Sequence, residues 1–437
     1  MPTARRFLSK LIPPTPISRQ LALQSLLWAM GAGTFETGAA FYLFHFVGLS
    51  PAQVGLGLTI AGVISFLFSY FAGRFADRIG LRRTWAVCAF IGAIEFALWP
   101  LIHGFAAYIV VLALFSIVNA AGSSARNAYV LDVLPPDERV DTQAHMYSSL
   151  NVGFTVGALL AGVALAIPFD AVLRWGVPLF SAALYLANSI WITRLPKAPH
   201  DIRRAERRET RAPTKHRGPG PLRNPGWIIA SVLNGTLTSY DVLLVTVIPL
   251  WLVAATDAPR WLLAWLLVTN TVLCIVLPAH TSKGVRTTSD ALTRMRWAGG
   301  FFVLACAITA ATHDTRGLAT AALVWVGHLA VTGAELAHSS GAWAMQAELM
   351  DPERRGEYGG VARAANQAGS AWAPAVFTWL AIDWHDGSGG YGWAIIAAIY
   401  LVALIAIHPA IAAAQRFRQR HFSPAEEVTE AGASQSS

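Results

Sequence analysis

The chain has 437 residues, and 54% of them are apolar before glycine is counted. Charged residues make up 13%, about half the ~25% of ordinary soluble chains, too few to cover a soluble protein of this length. Disordered chains are apolar-poor, so disorder is excluded as well, and the composition indicates a polytopic membrane protein. The formal net charge of +8 would suggest nucleic acid in a soluble protein. Here its distribution along the chain explains it, and the expected partners are a lipid bilayer and a small molecule, with no nucleic acid. The three cysteines, Cys88, Cys274 and Cys306, are scattered in apolar runs. They form no disulfide framework and no CxxC metal pair, so no metal site is expected.

A span needs ~20 mostly apolar residues. Candidates start near residues 21, 52, 83, 105, 142, 171, 227, 259, 293, 317, 357 and 390, which makes twelve. Long unbroken runs of this kind are helices, because a transmembrane barrel shows short alternating segments instead. The expected fold is all-α and membrane-embedded, with a first six-helix bundle over 21–193 and a second over 226–415. A segment 1–20 precedes them, a basic linker 194–225 joins them, and a tail 416–437 follows. With the first end placed inside, 28 of the 33 basic residues fall on one side of the membrane, and only Arg174, Arg260 and Arg316 fall on the other. That asymmetry predicts cytoplasmic termini. Arg5, Arg6, Lys10 and the Pro13–Pro16 stretch do not read as a cleavable signal, so the first span is expected to act as the insertion signal. The linker reads as solvated with an amphipathic stretch on the membrane surface, and the tail after Arg420 as disordered.

The halves carry a repeat. Leu134, Glu138, Arg139 and Asn151 match Leu349, Glu353, Arg354 and Asn366 at one offset of 215. Phe35-Glu36 in the first span matches Tyr240-Asp241 in the seventh. Parallel repeats of this sort hold substrate at their interface near the midplane.

The loop after the second span reads Gly73-Arg74-Phe75-Ala76-Asp77-Arg78-Ile79-Gly80-Leu81-Arg82-Arg83. It resembles the signature loop of the major facilitator superfamily, G-x-x-x-D-R-x-G-R-R, with Leu81 where the family has a basic residue. The resemblance implies two pseudo-symmetric six-helix bundles that rock around a central site, in a chain expected to act as a monomer. It also implies a conformational latch of Gly73, Asp77, Arg78, Gly80, Arg82, Arg83 and Asp132. Gly73 would allow close helix approach, Asp77 would face the N-terminus of the eleventh helix, and Asp132 would pair with the basic cluster. Ala125–Ala128 through Pro135–Arg139 is similar to the fourth-to-fifth-helix segment of bacterial drug exporters. Gly153-x-x-x-Gly157-Ala158-x-x-Ala161-Gly162 is similar to the G-x-x-x-G-P-x-x-G-G pattern of the superfamily's antiporters, with alanine replacing the proline and one glycine.

Four acids lie well inside spans: Glu36, Glu95, Asp241 and Glu335. A charge at that depth costs at least ~2.5–3.5 kcal/mol, so such residues are functional candidates. Glu36 can load and release a proton or pair with a cation, and Asp241 shares a helix face with Asn234 and Thr238. His328, Thr332, Glu335 and Ser339 line one face of the tenth helix, as a proton relay through His328 or His338 or as an interhelical hydrogen-bond network. Asn119, Ser123, Asn127 and Arg126 give the fourth helix its polar face. In the family, an arginine there often faces the cavity and tunes a carboxylate, which here would be Glu36. Glu95 is set aside because the third helix is peripheral in the family. Trp99, Trp191 and Trp393 read as interfacial anchors, and Trp28 and Trp325 as cavity aromatics.

The resulting expectation is a secondary transporter, in which a proton gradient drives efflux of drug-like or antibiotic molecules. Glu36, Asp241, Glu335 and Arg126 would couple the proton, and no cofactor would take part. A proton-coupled importer of a polar solute is the alternative, and a non-transporting receptor is the alternative of another class. No H-E-x-x-H, G-x-S-x-G or P-loop motif supports an enzyme. The chain has 29 arginines against four lysines and abundant alanine, which fits a high-GC bacterium and hence a bacterial inner membrane.

Overall fold

The computed structural model describes residues 12–167, 169–209, 219–384 and 391–421. The Arg5-Arg6-Lys10 cluster, the middle of the basic linker and the tail after 421 lie outside the described residues. The rods are α1 (Pro16–Glu36), α2 (Pro51–Ile79), α3 (Leu81–Leu98), α4 (Gly104–Val133), α5 (Arg139–Ala166) and α6 (Val177–Arg194) in one half. The other half holds α7 (Pro225–Thr238), α8 (Leu262–Val276), α9 (Thr288–Ala311), α10 (Leu318–Leu349), α11 (Arg355–Ser370) and α12 (Tyr391–His421). Among the described residues, nine helices are long and apolar enough to cross a membrane. The rods of α1, α8 and α11 fall short of that measure because they are broken, short or polar.

Local chemistry sets the helix starts. Pro16 opens α1, and the Thr15 hydroxyl accepts from the Ser18 N–H, so the rod begins five residues before the apolar run does. Ser50 and Gln53 form a reciprocal capping box at α2, and Thr287 and Asp290 form one at α9. The first rods of the two halves break at the same place. α1 ends at Glu36 and continues through Ala39–Tyr42 into a π turn, Leu43–Val47. α7 ends before Ser239 and continues through Tyr240–Val242 into a π turn, Leu243–Val247. Such turns mark functional sites more often than chance.

Glycines let the rods approach. A Cβ on Gly153 or Gly157 of α5 would strike the α1 backbone at Leu26 or Met30. On Gly369 of α11 it would strike the α7 backbone at Val232. The α1–α5 and α7–α11 pairs are thus equivalent crossings. Gly92 of α3 packs on Tyr185 of α6, and Gly299 of α9 on Leu404 of α12. Leu58, Leu67, Phe71, Leu159, Val163, Val402 and Ile405 face outward, more than half exposed, where lipid takes the place of core partners. Two supposed anchors are core residues instead. Trp393 is 1% exposed and meets Trp251 edge to face at 5.6 Å, and Trp99 packs on Phe35 at 5.1 Å. A span-end position does not reveal whether the helix end itself is buried.

The halves meet through α2 and α4 against α11, and through α5 against α8 and α10. Between the halves lies a helix expected only as an amphipathic stretch, the linker helix Pro199–Glu209. It packs on α3 and α4 rather than only on a surface.

Candidate transport pathway

At the end of the bundle that carries the basic loops, the halves are joined. Asp77 ends α2, and its two carboxylate oxygens accept the N–H groups of Gly356 and Glu357, in the first turn of α11, at 2.9 and 2.8 Å. The helix N-terminus offers unsatisfied N–H groups and a positive dipole end, so a carboxylate fits there. Gly73 lies backbone to backbone on Gly356, and a side chain at either would collide with the other helix or with Asp77. Tyr70 donates to Glu357 at 2.8 Å.

Asp132 takes different partners from those the resemblance implied. It accepts from Arg355 at 2.5 Å and from the His200 N–H at 2.7 Å, with Arg203 at 3.9 Å. Arg82 instead donates to the Leu195 carbonyl, and Arg78 and Arg83 are exposed. The cause is the linker helix, which occupies the space beside α3. Its Asp201 accepts the N–H groups of Leu81 and Arg82 at 2.8 and 3.2 Å and so caps α3 directly after Gly80. Burial raises the Asp201 carboxyl pKa, but His200 and these two N–H groups outweigh it, leaving the pKa below the ordinary carboxylate range. Arg203 reaches across to Glu353 at 3.3 Å.

Deeper in, Glu335 is buried and ties the halves. The Tyr147 hydroxyl of α5 donates to one of its oxygens, and the Asn270 amide of α8 donates to the other at 2.9 Å. Asn270 also donates to Thr332 at 3.1 Å. Neither expected histidine partners this acid. His338 meets Asn234 of α7 at 3.1 Å, Asn234 donates to Asn366 at 3.2 Å, and Thr238 donates to the Asn234 carbonyl. His328 is buried at 2% exposure, two turns from Glu335. His328 shares the face of Glu335 but lies seven residues, about 10.5 Å, along the axis, and His338 turns to α7, so a shared helix face did not bring either ring to the acid.

Glu36 and Asp241 sit at the two helix breaks, both accessible, beside the buried rings of Phe35 and Tyr240. Arg126 does not accompany Glu36. It donates to Ser25 at 2.9 Å. Ser25 lies eleven residues below Glu36 on the same helix, about 16 Å at 1.5 Å per residue. Arg126, Asn119, Ser123 and Trp28 instead line a cavity of about 70 Å³ among α1, α3, α4 and α6. Ser123 donates to Asn119 at 3.3 Å. Asn127 is exposed, and Trp325 donates to Thr269 of α8. The acid set aside by the sequence reading lines the same cavity: Glu95 is 1% exposed, with no hydrogen-bond partner for either oxygen among the described residues, and shares the cavity wall with the buried Asn188 amide. A carboxyl inside an apolar run was the available signal, and the peripheral position of the third helix masked it.

The Major Facilitator Superfamily model matches residues 21–374. A stretch of 181 residues is 26% identical to an uncharacterised MFS-type transporter, YdeE, of Escherichia coli (strain K12), covering 40% of this chain and 45% of that one. Another of 143 residues is 27% identical to a Na(+), Li(+), K(+)/H(+) antiporter of Planococcus maritimus, covering 30% and 34%. The chain thus spans less than half the length of these curated relatives. In structure it is similar to a bacterial homologue of the iron transporter ferroportin in its outward-facing state, with a TM-score of 0.67 at 14% identity over 91% of this chain and 99% of that one. It is also similar to the proton:xylose symporter XylE, with a TM-score of 0.63 at 14% identity over 89% and 94%. The family model, the fold and the apolar rods lead to one conclusion: the chain belongs to the major facilitator superfamily and has its multi-pass membrane architecture.

Proposed function

We propose that the protein exports drug-like small molecules from a bacterial cell in exchange for protons, with Glu335 as the coupling carboxyl and the basic end of the bundle cytoplasmic. The observation that carries this reading is the Tyr147–Glu335–Asn270 bridge, a buried ionisable group bonded across the two moving halves. On this reading the end closed by the Asp77 and Asp132 contacts is cytoplasmic, which would make the structure an outward-facing stage. As a carboxylate, Glu335 accepts both hydrogen bonds and holds α5 to α10. A proton arriving from outside occupies one oxygen, weakens the link to Tyr147 and lets the halves part at the basic end. The proton leaves inward as substrate enters, and the bridge reforms. One charge crossing the potential supplies ~2.3 kcal/mol per 100 mV, enough to sustain an outward drug gradient. Glu36 and Asp241, accessible at the two helix breaks, are the groups through which a proton from outside would enter.

The test is proton flux in energised inverted vesicles with a pH-sensitive dye and a drug panel. Drugs should dissipate the pH gradient in wild type and not in Glu335→Gln. If Glu335→Gln still supports flux while Glu36→Gln or Asp241→Asn abolishes it, the bridge is not the carrier. If no compound moves protons in wild type, the export reading fails.

A further inference from the structure

Two arginines lie in the middle of the bundle with no acid to balance them. Arg126 comes from α4 and Arg363 from α11, helices of opposite halves that pack on each other. They are within electrostatic reach of each other. Among the described residues, neither forms an ion pair. The Arg126 head group donates to the Ser25 hydroxyl, while its buried Nε has no protein partner. Each guanidinium carries five donors. One cation inside a membrane costs ~2.5–3.5 kcal/mol or more, and two that repel cost more still. The other buried arginine of this interface, Arg355, does pair with a carboxylate, Asp132. The absence of an acid at Arg126 and Arg363 therefore sets this site apart. Around Arg126 the wall supplies the Trp28 ring and the polar side chains of Asn119 and Ser123.

We infer that Arg126 and Arg363 together hold the anionic group of the transported molecule, so that the substrate class is aromatic or apolar organic anions bearing a carboxylate or a similar oxyanion. The planar fork of each guanidinium matches a carboxylate edge, and an anion shared between them removes their mutual repulsion. Trp28 then stacks on the apolar part of the ligand. The two halves each give one arginine, so the anion is held between them. This deepens the export reading, because it names the cargo of the same pathway.

The experiment measures quenching of tryptophan fluorescence in the purified full-length protein by 4-nitrobenzoate, with neutral 4-nitrobenzamide as the isosteric control. Nitrobenzoate should quench saturably and nitrobenzamide only weakly. Arg126→Gln and Arg363→Gln should each weaken nitrobenzoate binding at least tenfold, Arg126→Lys less, and Trp28→Phe should remove most of the quenching. Equal quenching by the amide, or unchanged binding in both glutamine variants, overturns the inference. Arg126→Lys keeps the charge, so binding by that variant separates loss of the site from loss of the fold. The readout needs no proton gradient. Anion binding without drug-driven proton flux would sink the coupling reading and leave this one standing, and the reverse result would do the opposite.

Discussion

Asp77→Asn isolates the closure at the basic end. The carboxylate accepts two N–H groups at 2.8 and 2.9 Å from the first turn of α11. A hydrogen bond to a charged group contributes ~1.5–3 kcal/mol, and a charge at a helix N-terminus ~0.3–1 kcal/mol, rising to ~2 where partly buried. Asparagine keeps one acceptor oxygen, turns an NH₂ toward the second N–H and loses the charge. The closed form should therefore lose about 2–3 kcal/mol relative to the open form. At 1.4 kcal/mol per tenfold, the ratio of closed to open molecules falls by about 30- to 150-fold. Arg83 and Lys283 are exposed on opposite halves near this end, and spin labels there, with Cys88, Cys274 and Cys306 replaced by serine, report the separation by pulsed EPR. The short-distance population should shrink sharply and a longer one appear. An unchanged distance distribution would refute the argument. So would an equal shift from Arg78→Gln, since Arg78 is exposed and loses no such bond.

The α1–α5 crossing gives a second prediction. Gly157→Val places a side chain against the Met30 carbonyl and the Thr34 N–H, and overpacking of that kind costs about 1–3 kcal/mol. The detergent melting temperature should fall, while Gly162→Val, where nothing lies within 4 Å, should leave it unchanged. Tyr147→Phe removes one donor from Glu335 at a cost of about 1–3 kcal/mol to the bridged state. Substrate-driven proton flux should then fall with less loss than in Glu335→Gln. Asp201 predicts a pH dependence. Its pKa in the folded chain lies below the ordinary value, so its contribution is fully present above about pH 4 and is lost as pH falls through the depressed pKa. A spin label at exposed Ala205 should stay immobilised at neutral pH and gain mobility only in that acid range. In Asp201→Ala, without the α3 cap, it should already be mobile at pH 7.

The placement of the rods was legible because membrane spans are set by length and hydropathy, which the chain displays directly. The Gly73–Arg83 loop was legible because its spacing is that of a known family. The pairing of buried polar groups was not. Periodicity places Glu335 on a polar face of α10, but the choice of Tyr147 over His328 depends on the rotation of α10 and on which rod of the other half faces it. The same holds for Arg126, whose turn of α4 aligns with Ser25 rather than with Glu36. Asp132 was misassigned for another reason. The basic composition of the linker reads as solvated, and only docking on α3 and α4 shows that its His200 and Asp201 compete for groups that the signature loop would otherwise hold.

The docked linker also anchors the connection between the halves at both of its described ends. His200 and Asp201 fasten the linker helix to the first half. Gly220 lies against Arg354 and Glu357, and Asn224 caps α7 by accepting from the Trp227 N–H at 3.0 Å, which fastens the other end to the second half. Opening the basic end must therefore break the Arg203–Glu353 and Arg355–Asp132 pairs together with the Asp77 contacts to α11, and the linker helix then travels with α3 and α4 as part of the first half.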